Sequence, residues 1–200
     1  TVTILRDGHF IHSGPVAEIS ESEMIRMMVD REVSELFPKQ ESVIGETVLE
    51  VRNLTRKGEF ENVSFTLHKG EILGFSGLMG AGRSEIMRVL FGLDKGSMQV
   101  ELNGKEIDIN NPNQSIKHGL AFITENRKEE GLVLQDSILE NISLPALKSF
   151  SKSGFLAQRS MEQYTQQMIK RLNIKGKQGD ACVDLSGGNQ QKVVLAKWIA

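Results

Sequence analysis

One cysteine, one tryptophan, one tyrosine and four prolines are spread over 200 residues. The lone Cys182 can close no disulfide within the chain, and such sparing use of cysteine fits a reducing cytosol. Charge of one sign is lacking as well: 24 Lys and Arg against 26 Asp and Glu leave a net charge of −2. No basic field is available to draw in nucleic acid or an acidic membrane surface. Long apolar runs are also missing. None approaches the ~20 residues that span a bilayer, and no charged-then-apolar start marks a secretory leader. Any tie to a membrane is expected to run through a partner chain. What is present, 39% hydrophobic and 25% charged residues, is the composition of an ordinary globular protein.

The pattern along the chain changes near residue 40. Thr1–Leu5 reads as a strand, Asp7-Gly8 as a hairpin turn and Phe10-Ile11 as the returning strand. Ser20 or Ser22 can cap a helix with Met24, Ile25, Met28 and Val29 at helical spacing. Residues 37–46, with Pro38 and Gly45, read as a linker. A piece of ~35 residues is too short for a core of its own, so residues 1–36 look like the tail of another domain.

Residues 47–200 form the second unit. Val48–Val51 and Val63–Leu67 read as half-buried strands around the turn Arg56–Glu59, and Met98–Leu102 leads into an Asn103-Gly104 hairpin. Glu71–Ser76 and Gly119–Thr124 are more evenly apolar, so both are expected as strands, the first buried on both faces. Ser84–Phe91 is a short helix, and Met161, Tyr164, Met168, Ile169 and Leu172 line one face of a longer one. Val193–Ala200 is an apolar helix without a stop signal, which points to a longer parent protein.

Two motifs carry chemistry. Gly77-Leu78-Met79-Gly80-Ala81-Gly82-Arg83-Ser84 has two glycines five apart, then a basic residue and a hydroxyl, between an expected strand and a helix that continues with Glu85. Glycines let successive N–H groups turn inward on phosphate oxygens, and the helix start adds its positive end. Ser84 can ligate Mg²⁺. Arg83 stands where lysine is usual, and its planar fork is bulkier than a point charge. Alone, the segment reads equally as a phosphate cradle or as a glycine-rich turn between strand and helix. Far downstream, Leu185-Ser186-Gly187-Gly188-Asn189-Gln190-Gln191-Lys192 places a hydroxyl and glycine N–H groups at another helix start.

That octet resembles the signature of ABC-type ATPases, and its form LSGGNQQK is similar to that of sugar-importer ATPases. Residues 63–91 and 123–134 look like the second nucleotide domain of tandem ATPases in ribose- and galactose-type importers. "LRDG" and "IRMMVDRE", within residues 1–36, resemble the end of the first. The resemblance implies an α/β P-loop NTPase fold, with an antiparallel β subdomain and an inserted helical subdomain. It implies ATP and Mg²⁺ as ligands, bound through Gly77–Glu85 and Ser186–Gln190, with Ser84 and Glu125 on the metal. Glu125 stands where the family usually has its Q-loop glutamine, and by itself it is one acid in a solvated charge cluster. The implied partners are membrane-spanning permease subunits, a second nucleotide domain and, indirectly, a periplasmic sugar-binding protein. The implied location is the cytoplasmic face of the inner membrane.

No tyrosine stands where the family stacks one on adenine; Phe60 is a substitute candidate, and Tyr164 reads as packing. The Walker B strand, catalytic glutamate and switch histidine are expected beyond Ala200. His9, His12, His68 and His118 do not replace them, and Cys182, Met161 and Met168 read as packing residues. Two other readings remain at this point: an ABC ATPase without a transporter, and a degenerate nucleotide domain that binds and regulates.

Overall fold

The computed structural model describes residues 1–6, 8–29, 42–152 and 154–199. They form two units, Thr1–Gly45 and Glu46–Ala200. Asp7 of the first turn and residues 37–41 of the linker lie outside the described residues.

In the first unit β1 (Val2–Arg6) pairs antiparallel with β2 (His9–Gly14), with a register shift between Ile4 and Leu5. Ile4 is buried. The helix α1 (Glu21–Val29) starts at Ser20, not Ser22. Ser20 Oγ accepts from the Glu23 N–H at 3.3 Å while the Glu23 carboxylate accepts from the Ser20 N–H at 3.0 Å, a reciprocal cap of two otherwise orphaned donors.

The second unit begins with an antiparallel sheet. β3 (Thr47–Arg56) lies between β4 (Phe60–His68) and β5 (Ser97–Leu102), and β6 (Lys105–Ile107) pairs with β5 across the Asn103-Gly104 turn. Val51 pairs with Phe65 on one side and Val100 on the other, so alternate β3 residues point to one face. Leu49, Val51, Leu54 and Val100 are buried there with Ile86, Val89 and Leu90 of α2 (Arg83–Leu90). The sheet thus serves as the floor on which the helix after the glycine loop is laid down.

A second core lies in the helical part. After α3 (Pro112–Lys117) come α4 (Ile138–Ser143), the short hairpin β7 (Ser151–Lys152) and β8 (Phe155–Leu156), α5 (Gln158–Arg171) and α6 (Gly187–Ile199). Ile138 and Ile142 of α4, Met168 of α5, Cys182, and Val193, Val194 and Ala196 of α6 form one buried cluster. Burial, and after it the negative charge of Asp136, pushes the Cys182 thiol up to about 11, which makes it a packing group rather than a nucleophile. Phe91 joins the two parts: it stacks on Phe122 at 5.3 Å and meets Trp198 edge-on at 5.6 Å. No described helix is long and apolar enough to cross a membrane.

Two expected strands are not strands. Glu71–Ser76 and Gly119–Thr124 pair with no described strand, and Ile72, expected in a core, is 98% exposed. An evenly apolar run is buried on both faces only where neighbouring strands and covering layers flank it. Among the described residues none does. Phe75 meets Phe65 edge-on at 5.1 Å.

Candidate functional site

Gly77–Gly82 leads into α2 through glycines with φ of 82° at Gly80 and 80° at Gly82, values that side-chain-bearing residues rarely adopt. Ala81 N–H donates to the Leu78 carbonyl at 3.1 Å, which closes the loop into a turn, while Leu78 and Met79 stand in open space. Gly82 is the N-cap of α2 and offers no side chain to its first N–H groups. Helix starts normally have such donors capped by a side chain, water or ligand. Uncapped donors beside a glycine turn are the physical requirement for holding phosphate.

Arg83 folds its stem back over the loop: a Cβ on Gly77 would lie 3.8 Å from Arg83 Cδ. Ser84 Oγ donates to Glu125 Oε1 at 3.2 Å. The two residues that the resemblance places on Mg²⁺ are therefore neighbours across 41 positions of sequence. One hydroxyl and one carboxylate are hard oxygen donors, the set that suits a Mg²⁺ bound mostly by phosphate and water. Phe60 stands against the loop, its Cδ1 3.6 Å from where a Gly82 Cβ would be. Glu85 is half-buried in the first turn of α2.

The far end of α2 is tied down. Arg88 Nε and Arg56 Nη1 both donate to Asp94 Oδ2, at 2.9 and 2.8 Å. The Arg88 hydrogen bond, followed by the charges of both guanidiniums, holds the Asp94 carboxyl below the usual range.

The signature octet divides in two. Ser186, Gly187 and Gly188 are exposed at the start of α6. Asn189 and Gln190 are buried and engaged by protein: Asn189 Oδ1 accepts from the Lys175 N–H at 2.9 Å and its amide donates to Ser186 Oγ at 3.0 Å. Gln190 Nε2 donates to the Cys182 carbonyl at 3.0 Å, and its Oε1 accepts from Arg127 Nε at 3.2 Å. The outward trio can present donors to an anion, while Asn189 and Gln190 hold the motif in shape. Helical spacing carries this signal, since 189 and 190 lie one turn before the buried Val193 and Val194. Arg127 had no such mark, being one more charge in a polar run.

A groove of about 720 Å³ lies beside Leu73, Phe75, Phe122 and Ile123, and Arg83, Ser84 and Glu125 also line it. None of Gly77–Gly82 does. It is therefore the space next to the two unpaired apolar segments, and the glycine loop stands outside it.

A glycine turn leading into a helix start without a side-chain cap places the larger unit in the class of P-loop nucleotide-binding domains. The profile of the ABC transporter family matches residues 60–200, from β4 through both motifs, and the chain belongs to that family. A ribose import ATP-binding protein of Bacillus cereus is 50% identical over 202 residues, which takes in 99% of this chain and 40% of that protein. A putative ribose/galactose/methyl galactoside import ATP-binding protein of Rhizobium etli is 48% identical over 200 residues, at 99% and 38%. The chain thus spans at most 40% of these curated relatives' length. Among solved structures, a nucleotide-free ATP-binding cassette from an ABC transporter superposes with a TM-score of 0.60 at 19% identity, over 77% of this chain and 65% of the other. A dimeric post-hydrolysis cassette bound to ADP and Pi gives 0.58 at 21%, over 76% and 69%. At such identities the likeness is one of fold.

Proposed function

We propose that this chain is part of the ATP-binding subunit of a bacterial sugar importer of the ribose type, and that Gly77–Ser84 holds MgATP. The observation that carries the reading is the uncapped start of α2 with Ser84 and Glu125 3.2 Å apart beside it. The similarity to ribose import proteins over 99% of the chain supports the sugar and the direction. Loop N–H groups bind the phosphates, Arg83 adds a fork of donors over them, and Ser84 and Glu125 orient the cation. Mg²⁺, when bound, neutralises charge between the terminal phosphates. Ser186–Gly188 offers donors to the nucleotide of an opposing domain. Membrane-spanning permease subunits on the cytoplasmic side of the inner membrane are the partners that convert domain closure into transport, with a periplasmic sugar-binding protein acting through them.

Arg83 favours a second role for this loop: it binds and regulates rather than hydrolyses. A planar fork grips phosphate oxygens in pairs but cannot follow them as a lysine does. In the whole protein, Arg83→Ala is expected to weaken MgATP at this loop about tenfold, the worth of one charge-assisted contact. Arg83→Lys should keep the affinity and leave overall turnover within about twofold, on the same scale of contact energies. Should Arg83→Ala alone abolish turnover, the loop is a hydrolytic site and the regulatory role falls.

Ser84→Ala tests the metal pair. It should weaken ATP about tenfold in the presence of Mg²⁺, through loss of one oxygen contact to the cation, and leave binding in EDTA unchanged. An equal loss in both conditions would make Ser84 a plain phosphate ligand.

A further inference from the structure

The charge cluster after Thr124 is folded into a single π-helical turn, Arg127–Gly131, a rare conformation that recurs at functional sites. Side chains tie this turn to two helices at once. Towards α2, Ser84 Oγ donates to Glu125 Oε1 at 3.2 Å, just before the turn, and Arg88 Nη1 donates to Glu130 Oε1 at 3.4 Å. Towards α6, Arg127 Nε donates to Gln190 Oε1 at 3.2 Å, and Lys197 Nζ to the Gly131 carbonyl at 3.0 Å. Gly131 permits the approach to α6, because a Cβ there would sit 3.3 Å from Val194 Cγ2. The phosphate-loop helix and the signature helix are thus braced on one turn.

Arg127 differs from the other struts in what it grips. Gln190 belongs to the signature octet, and its amide works at both ends: Oε1 receives Arg127 while Nε2 holds the Cys182 carbonyl. A primary amide carries an acceptor at one end and donors at the other, so a cation fixed at Oε1 decides which way the group faces. The guanidinium also fills the space over the signature glycine. A Cβ on Gly187 would lie 2.8 Å from Arg127 Nη2.

Resting on the nucleotide-binding reading above, we propose that Arg127 is a positioning residue for the signature motif. By orienting the Gln190 amide it fixes the Cys182–Ser186 segment against α6. It thereby sets where Ser186 and Gly187 present their donors, in step with the turn that Ser84 and Glu125 hold on α2. Arg127 acts through Gln190 and does not touch the nucleotide at its own domain's loop.

The test uses the whole protein assembled with its membrane partners. MgATP at this loop is read by 8-azido-ATP labelling mapped to peptides of this chain, and turnover is read at steady state. Arg127→Met should lower kcat about tenfold, the scale of coupling that one such residue carries, with labelling affinity within about twofold on that scale. Arg127→Lys, which still donates to Oε1, should restore most of the rate. Arg127→Gln, too short to reach, should behave as the methionine does and serves if the methionine variant folds poorly. Added to Gln190→Met, Arg127→Met should cost nothing more. The proposal is overturned if Arg127→Met turns over like the parent, if lysine gives no rescue, or if the two losses multiply. A parent protein that binds no MgATP at this loop would instead sink the nucleotide reading itself.

Discussion

Gly82→Val should weaken MgATP at this loop about 100-fold, the loss of two charge-assisted contacts at roughly 1.4 kcal/mol each. Gly82 holds φ at 80° as the residue from which α2 departs. A β-branched residue there is a genuine outlier, and the left-handed conformation alone costs about 1–2 kcal/mol. Space at the first carbon is ordinary, with Phe60 Cδ1 3.6 Å and Phe60 Cβ 3.8 Å from it, but the valine methyls would press further towards that ring. The loop relieves both by turning its peptide planes, which carries the N–H groups off the phosphates. Because the sheet core beneath α2 is untouched, the damage falls on binding and not on folding. Labelling by 8-azido-ATP of the whole protein, mapped to this chain, reads it directly. An affinity within about threefold of the parent, less than one such contact is worth, would mean that the nucleotide is not held by this loop.

The antiparallel half of the fold was legible because its signals are local. Alternation marks β3, β4 and β5, and Asn103-Gly104 marks the hairpin between β5 and β6 without reference to anything distant. Met161 and Met168 announced the buried face of α5 in the same way. Glu71–Ser76 and Gly119–Thr124 failed for the opposite reason. Their apolar character states a need for flanking strands and covering layers, which periodicity cannot supply.

The site shows the same division. The glycine loop and the octet stand out as contiguous strings. Ser84 with Glu125 could be paired only through resemblance to a family, since no local pattern joins residues 41 apart; the structure sets them 3.2 Å from each other. Arg127 and Gln190 lie 63 apart, and the string 123–134 that contains the arginine gave it no role of its own. Within the octet, residue type alone made all of Ser186–Gln190 equal candidates for ligand contact. Burial separates the three that face outward from Asn189 and Gln190, which hold the others in place.

The signature helix depends on a residue outside every motif. Asn141 of α4 is 1% exposed, and its amide spans the loop that precedes the helix. Its Oδ1 accepts from the Val133 N–H at 2.8 Å, and its Nδ2 donates to the carbonyls of Val133, Ser137 and Asp136 at 2.9, 3.1 and 3.3 Å. Asn141→Leu keeps the volume and removes every one of these bonds, leaving the Val133 N–H without a partner, while the Val133 C=O keeps the Asp136 N–H at 3.0 Å. One orphaned donor costs about 1–3 kcal/mol, so a loss of about 2 kcal/mol is expected. The consequence reaches the site because Ile138 and Ile142, on the same helix, share a buried cluster with Val193 and Val194 of α6. In the whole protein, hydrogen exchange at Val133 and along α4 should quicken by roughly 30-fold, the same energy expressed as a population of open states. The amides of β3, in the other core, should exchange as before. If β3 loosens together with α4, the two cores open as one unit, and Asn141 guards the whole domain rather than the platform of the signature helix.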